Sequence, residues 1–331
     1  MKSQRLTSFL RSGAIAAAFA LSVILLQSSP ASASSEGGFQ RTLTVNGTVD
    51  LDVNTGSGDV RITSGDSGKV EITARIRSNR WLGGNDDARI HEIESNPPIQ
   101  QNGNTIRIGH LDNELGHNIS ISYQLRVPSD TRLHAHTGSG DQEIAGINGP
   151  IEVETGSGDL RVSNIGNTVR AETGSGDVEI RQVKGDLHTK TGSGTVHAED
   201  IAGAFEGHSG SGSVDLSQTA PGRVQVTTGS GDIELRGVNG ALEAEAGSGG
   251  IRVEGKPSGS WNVKTGSGEV ELRLVADAAF DLDAHTSSGS ISVDMPMMVQ
   301  GSIGRKEVHG KVRGGGIPME IRTGSGDIDI H

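Results

Sequence analysis

Apolar and polar residues alternate along most of this chain in short stretches. In Ile151–Glu154 the apolar residues are Ile151 and Val153, and after Asp159 they are Leu160 and Val162. A period of two residues is typical of a β-strand with one buried face. Between the two stretches stands Thr-Gly-Ser-Gly, whose glycines favour a tight corner over a continued strand. Residues 150–167 therefore predict two short strands joined by a corner.

This strand–corner–strand unit recurs through the sequence. Looser copies of the corner begin at Ser209, Ala246 and Thr286, and from Thr137 to Thr286 successive corners are 18 to 21 residues apart. Such a period is typical of a repeat architecture, in which each unit needs its neighbours to bury its apolar side. Intact copies of Thr-Gly-Ser-Gly begin at Thr55, Thr137, Thr155, Thr173, Thr191, Thr228, Thr265 and Thr323.

We predict an all-β fold, a single-stranded parallel β-solenoid with about 18 residues per coil and an irregular N-terminal strand region. In a solenoid each strand pairs with its equivalent one coil away, at about 4.8 Å. A stack of hairpins would also have two strands per unit. The fixed period favours the solenoid, because antiparallel sandwiches show no fixed period. An unfolded Gly/Ser-rich polymer is disfavoured because the alternation continues through every unit. The unit quoted above should point Ile151, Val153, Leu160, Val162 and Ile165 inward.

Three regions follow from this pattern. Residues 1–33 are predicted as a signal peptide, residues 34–130 as a first coil with an irregular cap or insert, and residues 131–331 as regular solenoid repeats. Within the insert, Thr105–Ile108 and Ile119–Val127 alternate as strands. We expect the insert to cover one end of the solenoid, because an open strand edge recruits other chains.

The sequence ends at Asp327–His331 on a predicted strand with no visible cap. Two arrangements are open at this point. Either residues 295–316 hide the edge of this strand, or the edge is a self-association surface.

The first residues predict export. Lys2, Arg5 and Arg11 are followed by a largely apolar run of 14 residues, too short to span a bilayer, and then by Ala31-Ser32-Ala33. This order is typical of a secretory signal peptide cleaved after Ala33, with an N-terminal membrane anchor as the alternative. We expect no membrane span after cleavage, and a periplasmic, secreted or cell-surface location.

Composition narrows the classes of function. Cys is absent, which excludes disulfides, thiolate metal sites, a cysteine nucleophile and a lipid-modified cysteine. The net charge is −12 and becomes −15 without residues 1–33, which hold three basic and no acidic residues. Nucleic-acid binding needs a basic face, and base stacking needs aromatic residues, which are 2% here. We therefore expect no nucleic-acid partner.

The motifs resemble a known family. The segment Ile-Ser-Tyr-Gln-Leu-Arg-Val-Pro, ending at Pro128, precedes the first tandem Thr-Gly-Ser-Gly-Asp, and Gly314 begins Gly-Gly-Gly-Ile-Pro-Met-Glu-Ile-Arg-Thr-Gly-Ser-Gly-Asp-Ile. Over about residues 40–331 the chain is similar to the bacterial family of unknown function named "putative adhesin". The resemblance implies a β-solenoid and a role in the cell envelope. It implies no catalytic residues, since the family has none established.

Stacking of coils would place Asp141, Asp159 and Asp177 in one column directly after the corners. Carboxylates about 4.8 Å apart repel each other unless a cation or amide donors lie between them. One hypothesis is a ladder of calcium sites with oxygen ligands. The favoured alternative is that each Asp accepts hydrogen bonds from amides of its own turn. We therefore expect no cofactor, with calcium as the alternative.

A second candidate lies on the outward side of the strands before the corners. His134 and His136 leave the same side of one strand, and Glu152 and Glu154 occupy the same columns one coil later. Imidazole beside carboxylate predicts a transition-metal patch. The favoured alternative is a cross-strand ladder of opposite charges.

No position suggests a dedicated catalytic acid and base, because the repeat spreads the carboxylates evenly. We therefore expect no enzyme, but an exported, adhesin-like scaffold that presents a repetitive acidic surface to a glycan or protein of the envelope or outside the cell. Two alternatives stay open. One is a carbohydrate-active lyase or hydrolase of the β-helix type, and the other is an envelope-stress sensor with a protein partner.

Overall fold

A computed structural model describes residues 36–78, 86–111, 118–299 and 304–331. The predicted signal peptide, residues 1–33, lies outside the described residues, as do Trp81 and Gly83–Gly84 of the predicted insert. The described part is all-β apart from one helix, and its strands form one continuous sheet of 27 strands. No helix among these residues has the length and apolarity needed to cross a membrane.

The strands and the helix follow one another along the chain in the order given next. They are β1 (Glu36–Thr44), β2 (Val49–Ser57), β3 (Val60–Ser64), β4 (Lys69–Ser78), α1 (Asp86–Ser95), β5 (Ile99–Asn102), β6 (Thr105–Ile108), β7 (Ile119–Val127), β8 (Thr131–Ser139), β9 (Gln142–Ala145), β10 (Ile151–Ser157), β11 (Leu160–Ile165), β12 (Val169–Ser175), β13 (Val178–Val183), β14 (Leu187–Ser193), β15 (Val196–Ile201), β16 (Phe205–Ser211), β17 (Val214–Gln218), β18 (Val224–Ser230), β19 (Ile233–Ser248), β20 (Ile251–Ser267), β21 (Val270–Leu274), β22 (Phe280–Ser288), β23 (Ile291–Val293), β24 (Met297–Val299), β25 (Glu307–Val312), β26 (Ile317–Ser325) and β27 (Ile328–Ile330).

The strands stack as a parallel solenoid with two faces. We call the strands before each corner the front face and the strands after it the back face. On the front face β10 pairs in parallel with β8 and β12, and on the back face β11 pairs in parallel with β9 and β13. Thr155 lies opposite Thr137 and Thr173, so the register is one repeat per coil. The predicted fold class is confirmed.

One thin apolar core runs between the two faces. In the unit first considered, Ile151, Val153, Leu160, Val162 and Ile165 are each at most 3% exposed. Equivalent positions stay apolar in the other coils, with bulk supplied by Phe205, Trp261 and Phe280. The alternation of apolar and polar residues therefore predicted correctly which side chains of these strands point inward.

Threonine side chains tie the corners of neighbouring coils together. The Thr155 hydroxyl donates to the carbonyl oxygen of Gly140 at 3.1 Å, and Thr173 repeats this contact with Gly158 at 3.1 Å. Ser209 does the same with Gly194, also at 3.1 Å. The threonines are buried at the bend. Each hydroxyl thus satisfies a backbone acceptor that faces the next coil.

Glycine is needed at the corners because the coils approach closely. A Cβ on Gly156 would lie 2.5 Å from the carbonyl oxygen of Gly138, and a Cβ on Gly174 would lie 2.5 Å from that of Gly156. Side-chain carbons do not approach oxygen so closely, so a larger residue would push the coils apart. Gly56 differs, since its Cβ would meet nothing within 4 Å.

The predicted insert forms a cap at one end of the stack. β6 and β7 are strands at the predicted residues, and β6 pairs with β2 while β7 pairs with β3. Beyond β7 the sheet continues antiparallel through β4 to β1. Helix α1 was not predicted from the sequence. It packs on β1, where Glu94 accepts a hydrogen bond from the amide of Gly38 at 2.8 Å.

The other end of the stack departs from sequence order. β26 lies between β20 and β22, and β27 lies between β21 and β23. The last coil is therefore inserted between two earlier coils. The expectation that residues 295–316 hide the edge is wrong, because β23 of the coil at residues 280–293 lies beside β27. β27 is paired on both sides, so the predicted self-association has no free edge of this strand to use.

Threonine hydroxyls at the corners should stabilise the stack measurably. The equivalent position in one coil is Ala246, which is 2% exposed and lies between Thr228 and Thr265 in the column. We expect Ala246→Thr to raise the free energy of unfolding by about 1 kcal/mol and Thr228→Val to lower it by about 1 kcal/mol. Urea denaturation followed by circular dichroism measures both. A change of the same sign in the free energy of unfolding of both variants would contradict the role assigned to the hydroxyl.

A methyl group at the corner should be tolerated only where no coil lies against it. We expect Gly156→Ala to cost about 2 kcal/mol through overpacking. The matched control, Gly56→Ala, should change the free energy of unfolding by less than about 0.5 kcal/mol. The same denaturation experiment compares them, and a loss of similar size in both variants would show that backbone freedom and not coil contact requires the glycine.

Candidate functional site

The candidate site is an open groove of about 570 Å³ on the front face, where the cap strand β6 adjoins the first coils. We call it the cap groove. Six strands contribute to it, because β6, β2, β8, β10, β12 and β14 are consecutive neighbours on this face. Its polar lining residues are Asp50, Asp52, Thr105, Arg107, Arg132, His134, Glu152, Thr168, Arg170 and His188, and its apolar ones are Leu51, Leu133, Pro150, Ile151 and Val169.

Arginine and carboxylate side chains lie beside each other in the cap groove. Arg132 Nη1 lies 3.8 Å from Asp50 Oδ1, and Arg170 Nε lies 3.4 Å from Glu152 Oε1. Arg107 has no ion pair with any described residue. Stacked coils hold these groups on a rigid sheet, so a ligand would meet their charges in fixed positions. Surface pairs of this kind contribute little stability, which leaves the side chains available for binding.

The structure brings the predicted histidine–glutamate columns together. Glu152 lies beside His134 and Glu154 beside His136 in the register. His136 Nδ1 is 3.5 Å from Glu154 Oε2. His134 instead contacts Asp52, with 3.6 Å between Nδ1 and Oδ1.

The contact of His134 with Asp52 was not predicted from the sequence, because the insert separates the first coil from the second along the chain. His110 also contacts this carboxylate, at 3.3 Å between Nε2 and Oδ2. Within the described ranges no set of three or more His, Asp or Glu side chains is arranged to hold a metal ion. The transition-metal hypothesis for His134, His136, Glu152 and Glu154 stays a prediction.

The aspartate column is present and hydrogen-bonded between coils. Asp141 Oδ1 accepts the amide of Asp159 at 2.9 Å, and Asp159 Oδ1 accepts the amide of Asp177 at 3.0 Å. Asp177 Oδ1 in turn accepts the amide of Thr195 at 2.8 Å. The favoured alternative was that each Asp accepts hydrogen bonds from amides of its own turn. Each Asp instead accepts a hydrogen bond from a backbone amide of the next coil, because stacking brings that amide close.

The second carboxylate oxygens of Asp141 and Asp159 lie near a cation of the protein. Arg161 Nη2 lies 2.9 Å from Asp159 Oδ2, and Arg161 Nη1 lies 3.6 Å from Asp141 Oδ2. Amide donors and a guanidinium therefore supply the compensation that the calcium hypothesis assigned to a metal ion.

Several carboxylates with a lowered pKa lie near the far end of the stack, and two more, Asp66 and Glu94, lie at the cap end. A hydrogen bond from Arg252 Nε at 2.6 Å holds the pKa of Glu271 below its usual value. The backbone amide and hydroxyl of Ser290 lower the pKa of Asp327, and Arg322 lowers that of Glu320. Burial raises the pKa of Tyr123, whose hydroxyl has no hydrogen-bond partner among the described residues. None of these groups lines the cap groove.

Residues 167–331, just under half of the chain, match the family model of the Toastrack DUF4097 domain. Over these residues the chain is similar to the Toastrack DUF4097 family. Toastrack domains are solenoid-like β folds, which agrees with the stacked coils. No functionally curated protein matches the chain.

Two solved structures are distantly similar to this chain. A "putative cell adhesion protein" from Clostridium sporogenes is 14% identical over 89% of this chain and 99% of its own, with a TM-score of 0.27. A "putative adhesin" from Bacteroides fragilis is 17% identical over 73% of this chain and 99% of its own, with a TM-score of 0.36. The resemblance to an adhesin-like family of unknown function is confirmed.

The Toastrack match begins well inside the repeat. Coils with the same corner contacts start at β2, so the solenoid extends beyond the matched residues on the N-terminal side. The cap groove straddles this boundary: Thr168, Val169, Arg170 and His188 fall within the match, and its other residues precede it. The cap groove therefore lies only partly within the residues that match the Toastrack model.

The aspartate column should act through hydrogen bonds and not through calcium. We expect Asp159→Ala to lower the free energy of unfolding by about 0.5–1.5 kcal/mol, because the exposed Asp177 amide loses its acceptor. The control Asp159→Asn keeps an acceptor oxygen and should cost less. Thermal unfolding with EDTA, Ca²⁺ and Zn²⁺ in turn is the measurement. A rise in midpoint with Ca²⁺ that Asp159→Asn abolishes would establish a calcium site instead.

Proposed function

We propose that this protein is an exported, non-catalytic, adhesin-like scaffold that binds an extended polar chain of the cell envelope or extracellular space. The solenoid serves as a rigid support, and its outward side chains make the contacts. The proposal places the protein in the periplasm, on the cell surface or in the medium. A signal peptide at residues 1–33, as expected from the sequence, would deliver it there.

The observation that carries the proposal is the cap groove itself. It crosses six neighbouring strands, and its long axis therefore runs from coil to coil across a series of fixed charges. Cations come from Arg107, Arg132 and Arg170, and anions from Asp50, Asp52 and Glu152. A ligand with regularly spaced hydroxyl, amide or carboxylate groups would find donors and acceptors along this path.

The rest of the front face supports binding by repetition. Beyond the groove, neighbouring outward positions keep pairing cations with carboxylates, as Lys264 Nζ and Glu320 Oε1 do at 3.9 Å. Many weak contacts to a long polymer gain strength by effective concentration once the first site is occupied. A glycan strand or an extended polypeptide of the envelope has the length to use such a surface.

The binding role can be tested with two matched triple variants. Arg107→Ala, Arg132→Ala and Arg170→Ala remove three charges from the cap groove. Arg181→Ala, Arg236→Ala and Arg273→Ala remove three exposed arginines from the back face. We expect the first variant to bind envelope glycans and envelope protein fractions at least about tenfold more weakly than the parent, and the second to bind unchanged.

The outcomes separate the candidate functions. Equal losses in both variants would indicate a general effect of charge and would contradict a site in the cap groove. No loss in either variant would place binding elsewhere. Release of new reducing ends from a glycan, measured in the same incubations, would favour the carbohydrate-active alternative over a scaffold.

A further inference from the structure

The last coil, residues 317–330, occupies a slot between two coils that precede it in the sequence. On one side the Thr323 hydroxyl donates to the Gly268 carbonyl oxygen at 3.0 Å. On the other side the Thr286 hydroxyl donates to the Gly326 carbonyl oxygen at 2.9 Å. Met319, Ile321, Ile328 and Ile330 are each at most 1% exposed between these walls. The slot therefore binds this coil through two complete sets of repeat contacts.

The slot recognises the coil by features that do not depend on which copy of the chain supplies it. Its walls offer a corner carbonyl, a corner hydroxyl and strand edges in register. Charges on the coil bridge to both walls, with Glu320 Oε1 3.9 Å from Lys264 Nζ and Arg322 Nη2 3.5 Å from Asp283 Oδ2. The same coil from a second copy would make identical contacts, so its exchange loses none of them.

The connection that leads into the coil has the properties of a hinge. β25 and β26 lie on opposite sides of β22, and Val312 and Ile317 both pair with Phe280. The chain crosses from one side to the other through Arg313, Gly314, Gly315 and Gly316, whose φ angles are 49°, 91°, 77° and 135°. A non-glycine residue in this region is strained by about 1 kcal/mol, which an extended hinge would relieve at Arg313.

One carboxylate oxygen at the hinge is enclosed in the closed form. Asp281 Oδ1 has no hydrogen-bond partner among the described residues and faces Gly315, while Lys311 Nζ lies 3.7 Å away. The Asp281 side chain as a whole is 42% exposed. Opening the hinge would expose Oδ1 to water as well and would remove the cost of an enclosed acceptor without a donor.

From these observations we propose that the last coil exchanges between two copies of this chain, so that residues 317–330 of each copy fill the slot of the other. The product is a dimer with a twofold reciprocal exchange, in which each solenoid is complete. Assembly of this kind needs no open strand edge. It would give the scaffold two copies of the cap groove and hence bivalent binding.

Engineered cysteines test the exchange cleanly, because the chain has no Cys of its own. Lys264 and Arg322 are register partners on β20 and β26, at a spacing that permits a disulfide. Lys264→Cys and Arg322→Cys are placed in separate full-length copies with different tags. The copies are mixed under reducing conditions in urea below the unfolding midpoint and then oxidised. We expect disulfides that join the two tags.

A matched pair in the middle of the stack is the control. His188 and Glu206 are register partners of similar exposure on β14 and β16, in consecutive coils without a slot. Copies with His188→Cys and Glu206→Cys, treated in the same way, should join tags several-fold less often. Equal yields from the two pairs would overturn the proposal, since they would reflect random collision of exposed thiols.

A shortened hinge gives an independent readout in the full chain. Deleting Gly314–Gly316 leaves two Cα steps, about 7 Å, between Val312 and Ile317, whereas strands on either side of β22 are about 9.6 Å apart. The coil then cannot reach the slot of its own copy. We expect a folded dimer with twice the monomer mass by light scattering. A folded monomer would contradict the exchange, and if the variant does not fold, the mixing experiment on intact hinges decides.

Discussion

The close approach of one backbone corner to the next is the constraint on which this protein depends. Coils stack at strand spacing, and at the corner the carbonyl of one glycine lies where a side chain of the next would be. Only glycine fits at that point, and the carbonyl then needs a donor. The threonine hydroxyl from the adjacent coil supplies it, as between Thr155 and Gly140. The Thr-Gly-Ser-Gly motif therefore meets the packing requirements of stacked coils.

A core built from repeated corners leaves the outward positions free to vary. The inward columns hold small aliphatic residues, and the large ones, Phe205, Trp261 and Phe280, are spread over separate coils. Outward residues carry the charges, and neighbouring coils pair cations with carboxylates. Arg161, for example, contacts acidic residues of three coils, among them Asp141 and Glu179. Any specificity of this fold must lie in those outward columns, which makes the cap groove the natural place for a ligand.

Both ends of the stack depart from the simple order of repeats, and for a shared physical reason. A regular coil exposes backbone donors and acceptors at its edge, and such edges pair with other chains unless covered. At one end the strands β7, β4 and β1 turn antiparallel and helix α1 packs beside them. At the other, the last coil is drawn into the stack and β25 closes the front face antiparallel to β22. The cap groove lies at the first of these closed ends, and the slot that holds residues 317–330 lies at the second.

The sequence by itself determined the solenoid, its period, the inward residues and the strands β6 and β7, because alternation and corner glycines are local signals that each coil repeats. It also placed His134 beside Glu152, since register follows from the period. Tertiary structure alone decided the contact of His134 with Asp52, the helix α1, the cap groove and the insertion of residues 317–330 between earlier coils. All corners look alike in sequence, so every coil is a chemically acceptable neighbour for every other. Which coils meet is settled by the closure of the two ends, and that depends on the whole chain.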